Sequence, residues 1–202
     1  MTQLSKLRVI LIGGSSHSGK STTAQVVARK LGWSHLSTDS LARHPGRPWR
    51  VGPKLVPDHV SEHYRSLTVD ELFTDVLQHY RRIWSDIETL IHTVSENRSM
   101  DRLILEGSAL WPEFTADLGL ENVKAVWLTT ADRVFKERIY HSSQYEQVTE
   151  AEKYLIRKFL DRTVLYNQRM MSAIERLDLR YNLVQENDPV EQVVEKCLIL
   201  LD

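Results

Sequence analysis

Apolar residues along this chain fall into two kinds of run. Three are short and continuous: Leu7-Arg8-Val9-Ile10-Leu11-Ile12, Arg102-Leu103-Ile104-Leu105-Glu106-Gly107 and Val123-Lys124-Ala125-Val126-Trp127-Leu128-Thr129. Their length and branching predict buried strands. Residues 34–39 and 179–184 read as two further strands. The other runs carry helical spacing. Residues 22–31 predict a helix ended by Gly32. Leu72, Val76, Tyr80, Ile83, Ile87, Leu90 and Val94 line one face of a long helix, opened by the capping box Thr68-Val69-Asp70-Glu71 and closed by residues 97–101. Residues 131–140 predict a charged helix with Thr130 as its cap. A second capping box, Thr149-Glu150-Ala151-Glu152, opens a helix that runs to about Leu177. Asp188-Pro189-Val190-Glu191 predicts a cap followed by Pro at the first helical position of a last helix ending near Leu201. Residues 110–120 read as a loop or short helix.

Strands alternating with helices from end to end predict an α/β three-layer sandwich with a five-stranded, mostly parallel sheet. Right-handed crossovers place helices on both faces, and ligands in such sheets bind at the carboxyl ends of the strands. At 202 residues a single domain is expected, spanning 1–202.

The first strand runs into Gly14-Ser15-Ser16-His17-Ser18-Gly19-Lys20-Ser21-Thr22, which fits G-x-x-x-x-G-K-[ST] between a strand and a helix. This is the context of a phosphate-binding P-loop (Walker A). Its glycines let backbone N–H groups turn inward toward phosphate oxygens, and the helix N-terminus adds partial positive charge. Residues 14–22 are the candidate nucleotide cradle. Lys20 would reach the β- and γ-phosphates and the Ser21 hydroxyl would hold Mg²⁺. His17 would touch phosphate or simply be tolerated there.

Two acids end strands and so fall near this loop. Asp39 could accept or orient the proton of an acceptor hydroxyl; as a turn cap it would have no such role. Glu106 could hold Mg²⁺ through water or contact substrate. Residues 41–54 follow Asp39 directly, contain prolines and glycines, and carry four Arg or Lys and no acid. Arg43, Arg47 and Arg50 could hold an anionic or phosphorylated acceptor, with Trp49 available to stack on a ring. Arg133, Arg138, Arg157, Arg162 and Arg169 straddle the polar stretch 142–148, the pattern of a lid that would close over phosphates. Arg138 and Arg162 stand nearest the turn-like ends that such a lid would move and are the candidates for neutralising the transferring group.

Composition narrows the partners. A net charge of -1 predicts no nucleic-acid partner, no apolar run is long enough to span a bilayer, and the first residues lack a signal-peptide pattern. Cys197 is the only cysteine, so neither an intrachain disulfide nor a cysteine-based metal site is expected. A cytoplasmic location and a monomer or homodimer follow as expectations.

The element order resembles that of the small P-loop kinases related to nucleoside monophosphate kinases: P-loop, acid after the second strand, helical region, acid after the third strand, arginine-bearing lid, terminal helix. The resemblance implies a P-loop NTPase fold, ATP and Mg²⁺ as cofactors, a helical acceptor region at about 41–98 and a lid at about 131–162. Gly13 to Ser21 followed by Thr38-Asp39-Ser40-Leu41 is locally similar to chloramphenicol phosphotransferase, and that similarity implies that Asp39 is the base toward a substrate hydroxyl. The sequence departs from the wider family in having Glu106-Gly107 where Asp-Gly is usual. Arg157-Lys158 and Arg162 only approximate the lid arginines. The resemblance also places residues 186–189 against the nucleotide base. The reading is an ATP-dependent kinase acting on a hydroxyl of a small molecule. A nucleoside monophosphate kinase-like transfer to phosphate and a nucleotide-binding ATPase or switch are the alternatives; against a GTPase switch, no Asn-Lys-x-Asp guanine signature occurs.

Overall fold

The computed structural model of the protein describes residues 3–41, 46–50 and 55–202. Five strands form one sheet: β1 (Val9–Gly14), β2 (Ser34–Ser37), β3 (Leu103–Glu106), β4 (Val123–Thr129) and β5 (Tyr181–Leu183). Their order across the sheet is β2-β3-β1-β4-β5, and every pairing is parallel. The expected fold class holds, with the sheet wholly rather than mostly parallel.

Alternation along β1 builds both layers. Ile10 and Ile12 face α1 (Lys20–Leu31) and α7 (Val190–Leu201), where they meet Ala24, Val27, Val193 and Cys197. Val9 and Leu11 face the other way, onto Ile87, Ile91 and Val94 of α3 (Val69–Glu96). α6 (Glu150–Arg176) extends that second layer: its Tyr166, Met170 and Ile174 pack with Trp111 and Trp127. Each of these buried aliphatic side chains contributes roughly 1.5–3 kcal/mol. Both capping boxes form, with Thr68 and Thr149 accepting from the N–H groups of Glu71 and Glu152. Each cap stabilises its helix by about 1 kcal/mol.

A separate apolar cluster sits above the carboxyl ends of the strands. It joins α2 (Asp58–Ser66), the start of α3, α5 (Asp132–Ser143) and the first half of α6 through Val60, Tyr64, Leu72, Phe135, Ile139 and Phe159. α2 escapes the sequence pattern because only Val60 and Tyr64 of its nine residues are buried. α4 (Pro112–Ala116) is the short helix expected after the third strand. Two expected caps are corrected. Thr130 does not cap α5; its hydroxyl donates to the Val184 carbonyl at 2.8 Å, and Ala131 takes the cap position. Asp188 accepts from the Gln185 N–H at 3.0 Å, closing the turn before α7, whose cap position belongs to Pro189.

Candidate active site

Strand register decides which side chains meet. Ile12, Glu106 and Ser37 lie side by side in β1, β3 and β2. Glu106 therefore ends its strand beside the start of the P-loop, and Asp39 stands two residues beyond Ser37, in a 3-10 turn over Thr38–Ser40. The tips of β2 and β3 touch here. Gly107 lies so close to Thr38 that a Cβ added to it would fall 1.7 Å from the Thr38 hydroxyl oxygen. Only glycine fits at that contact.

The P-loop has the fold its sequence predicts. Gly19, with φ 100°, turns the chain into α1, and His17 takes a left-handed φ of 63°. The Ser15 hydroxyl donates to the Thr163 carbonyl at 3.0 Å and so anchors the loop to α6. The Lys20 ammonium bends back over the loop and donates to the Ser15 carbonyl at 3.3 Å. Burial lowers its pKa, while the carboxylates of Glu106 and then Asp39 raise it again. Both strand-end acids thus bear on the loop lysine.

The Ser21 hydroxyl donates to Glu106 Oε1 at 3.1 Å, and Glu106 is buried. Among the described residues no three His, Cys, Asp or Glu side chains group into a metal site. Ser21 and Glu106 nevertheless fit Mg²⁺, which is commonly held by one or two protein oxygens, water and substrate phosphates. The Ser18 hydroxyl and His17 Nδ1 are buried without partners among the described residues. Buried polar groups are nearly always satisfied, so these two atoms are open to a ligand or a water.

The remaining predicted residues fall into three groups. Arg138 is brought to the loop, its Nη1 donating to the His17 carbonyl at 2.9 Å, and burial lowers its pKa. Arg47 and Arg50 are exposed, and Arg43 lies outside the described residues. Two expectations change. Trp49 is only 4% exposed and packs edge-on to Phe159 at 4.7 Å, with the Arg47 guanidinium 5.9 Å from its ring. Its faces are committed to the helical cluster, not open to a ligand ring. Arg162 is not near a helix end that moves; it is 7% exposed in the middle of α6, above the Phe159 ring at 4.7 Å. Among the other lid candidates, Arg133 pairs with Glu186, Arg157 donates to the Tyr145 hydroxyl at 2.7 Å, and Arg169 is exposed.

His17 links the loop to its surroundings. Its Nε2 is 3.1 Å from the Ser142 hydroxyl on α5, and its ring lies 5.9 Å from both Trp49 and Phe159. Burial lowers its pKa to about 3, helped by Arg47, Lys20, Arg138 and Arg162. Four cations therefore converge on one residue of the loop.

Sequence reasoning missed the phenols of Tyr64, Tyr80 and Tyr166. Tyr166 donates to the Ser108 carbonyl at 2.6 Å and Tyr64 to the Gly46 carbonyl at 2.9 Å. Tyr80 is pushed up to about 12 by burial; Arg162 opposes the rise, the charge of Asp39 adds to it, and Ser108 is within hydrogen-bonding reach. Tyr80 had signalled only a core position in the apolar stripe of α3.

No protein-family profile matches the chain. Over 99 residues it is 33% identical to a cytidylate kinase of Pseudomonas putida, covering 49% of this chain and 35% of that protein. It is 26% identical to a 2-phosphoglycerate kinase of Methanocaldococcus jannaschii over 204 aligned positions, covering 96% of this chain and 62% of that protein. The chain thus spans about a third of one curated relative and less than two thirds of the other. Among solved structures it resembles a gluconokinase from Sinorhizobium meliloti (TM-score 0.53, 18% identity, 96% of this chain and 90% of that one). It also resembles a shikimate kinase from Aquifex aeolicus (TM-score 0.51, 18% identity, 96% and 95%). The fold is that of these P-loop kinases. Among the described residues no helix is long and apolar enough to cross a membrane.

Proposed function

We propose that this chain is an ATP-dependent phosphotransferase that moves the γ-phosphoryl group to a hydroxyl of a small molecule. The observation that carries this reading is the placement of Glu106, at the end of β3, and Asp39, in the turn after β2, beside the P-loop that follows β1, with Ser21 of that loop bonded to Glu106. Both curated relatives are named as kinases, which supports the same class. In this reading the chain is one domain, with α2 and α3 in an acceptor region at about 41–98 and α5 with the start of α6 in a lid at about 131–162.

Phosphoryl transfer asks the protein for positioning and charge neutralisation rather than covalent chemistry. Loop N–H groups of residues 14–22 and the Lys20 ammonium hold the phosphates. Ser21 and Glu106 would hold Mg²⁺, which when bound neutralises charge on the β- and γ-phosphate oxygens. Arg138, fixed to the loop through the His17 carbonyl, adds positive charge at its rim. Asp39 takes the proton of the acceptor hydroxyl as the new O–P bond forms and the bond to the bridging oxygen breaks, leaving ADP. Asp39 is exposed and its carboxylate makes no hydrogen bond among the described residues, as a base awaiting its substrate requires. The local likeness to chloramphenicol phosphotransferase rests on the P-loop and the Asp39-Ser40-Leu41 step alone.

A second reading, transfer to a phosphate acceptor as in nucleoside monophosphate kinases, draws on the cations Arg47 and Arg162 beside the loop and on the cytidylate kinase likeness. ATP turnover by the purified protein tests both against an ATPase or switch. The protein alone should stay near idle and should form ADP and phosphorylated product in equal amounts once a matching hydroxy compound is added. Equal ATP hydrolysis with and without every acceptor would overturn the proposal.

A further inference from the structure

His17 stands where the P-loop, α5 and α6 meet, and its hydrogen bonds fix the form of its ring. The Ser142 hydroxyl has one hydrogen and donates it to the Ile139 carbonyl at 3.1 Å. Its oxygen is then the acceptor in the 3.1 Å contact with His17 Nε2, so Nε2 carries the ring hydrogen. In the neutral ring Nδ1 is left with a bare lone pair. That atom is buried, and nothing among the described residues donates to it. The Trp49 ring lies 5.9 Å away, but its Nε1–H is likewise buried without a partner and does not serve Nδ1.

The cations around the ring explain why it is neutral and what would change that. Arg138 Nη1 donates to the His17 carbonyl at 2.9 Å. Lys20 bends back over the same loop onto the Ser15 carbonyl. The Arg162 guanidinium is 4.7 Å from the Phe159 ring and that of Arg47 is 5.9 Å from the Trp49 ring. Both of those rings lie 5.9 Å from His17. With burial, these four cations hold the pKa of His17 at about 3, and no acid is among the groups acting on it. In an empty loop a second ring proton would add a fifth positive charge to the four. In a loop holding a triphosphate the four are countered and the same proton meets phosphate oxygens. Nδ1 is bonded to Cγ, so it stays beside the loop backbone while Nε2 reaches out to α5. Left bare, it would set a lone pair against phosphate lone pairs with no hydrogen between them.

We propose that His17 takes up a proton at Nδ1 when the P-loop fills and donates it to a phosphate oxygen of the nucleotide. The proton comes from solvent, no other bond changes, and Nε2–H stays on Ser142. The filled loop then has the higher His17 pKa. Between the two pKa values the complex holds a proton that the free protein lacks, so nucleotide affinity strengthens as pH falls. This rests on the nucleotide-binding half of the kinase reading and is independent of Asp39 and of the acceptor.

Full-length protein labelled with ¹⁵N at histidine reads the ring directly. The His17 signals are identified by their loss in His17→Asn, which tolerates the left-handed φ of 63°, or in His17→Gln if the first variant does not fold. At pH 6.5 the free protein should show Nε2–H and a bare Nδ1. With saturating Mg·ATP both nitrogens should carry hydrogen in about half of the molecules or more, the result of a pKa returned to about 6.5 or above. Calorimetric titration with Mg·ATP in buffers of different ionisation enthalpy should give about half a proton or more taken up per nucleotide, in excess of the variant, in which the nucleotide's own protons are the same. A bare Nδ1 in the filled loop, a doubly protonated ring in the empty one, or equal uptake in wild type and variant overturns the inference. Mg·ATP that does not bind at millimolar concentration overturns it together with the nucleotide reading. Proton-linked binding with no ADP formed from any acceptor would leave it standing and sink the transfer reading.

Discussion

The Ser21 hydroxyl donates to the Glu106 carboxylate at 3.1 Å, joining the first turn of α1 to the end of β3. The two residues are 85 positions apart and meet because β1 and β3 are parallel neighbours. This pair is where Mg²⁺ would be held. Glu106→Gln keeps the shape and the hydrogen bond but removes the charge. Half-saturating Mg²⁺ for turnover should rise roughly tenfold or more. A Mg²⁺ titration of ADP formation reads this directly, and an unchanged midpoint would remove Glu106 from the metal site.

Gly107→Ala should harm both stability and turnover. The new methyl would lie 1.7 Å from the Thr38 hydroxyl oxygen and 2.8 Å from its Cβ, and Thr38 is buried beside Asp39. Overpacking of this kind costs about 1–3 kcal/mol. For a domain of this size that corresponds to a melting point lower by roughly 2–4 °C per kcal/mol. Calorimetric melting alongside an activity assay checks both; a variant that melts and turns over like wild type would show that the two strand tips are not packed this tightly.

His17 makes the fold acid-sensitive. In the folded chain burial and four cations hold its pKa at about 3. Unfolded, it titrates near about 6.5. Between these values the unfolded chain binds a proton that the folded one does not, so stability falls as pH drops, by at most about 1.4 kcal/mol per pH unit. His17→Asn removes the proton site and keeps a residue type that tolerates the left-handed φ of 63°. Urea midpoints at pH 7 and pH 4.5 should fall less in the variant than in wild type, and an equal fall would contradict the assignment.

The loop from Gly14 to Ser21 was legible because its chemistry is contiguous: spacing, flanking strand and following helix all lie in one stretch. Asp39 and Glu106 were legible for a different reason. A parallel sheet places every strand's carboxyl end on one edge, so acids at those ends gather without any long-range information. Trp49 was misread because its surroundings come from far along the chain. Beside Arg47 and Arg50 it resembles a stacking residue, but Phe159 and Tyr64, more than a hundred and just over a dozen positions away, draw it into the helical cluster. Arg162 was legible as a candidate and not as a position. Helical spacing shows that α6 is long and amphipathic, but which side of it faces the apolar cluster is fixed by α2, α3 and α5 together, and α2 is too short and too polar to be read.

In the proposed reaction Asp39 faces the acceptor across a nucleotide held by the P-loop. This placement is tested most directly by measuring ADP formation with a matching acceptor, together with ATP affinity, in wild type and Asp39→Asn. Turnover should fall by roughly two orders of magnitude or more while ATP affinity stays nearly intact, because the amide cannot take the acceptor proton. Turnover equal to wild type would contradict the account.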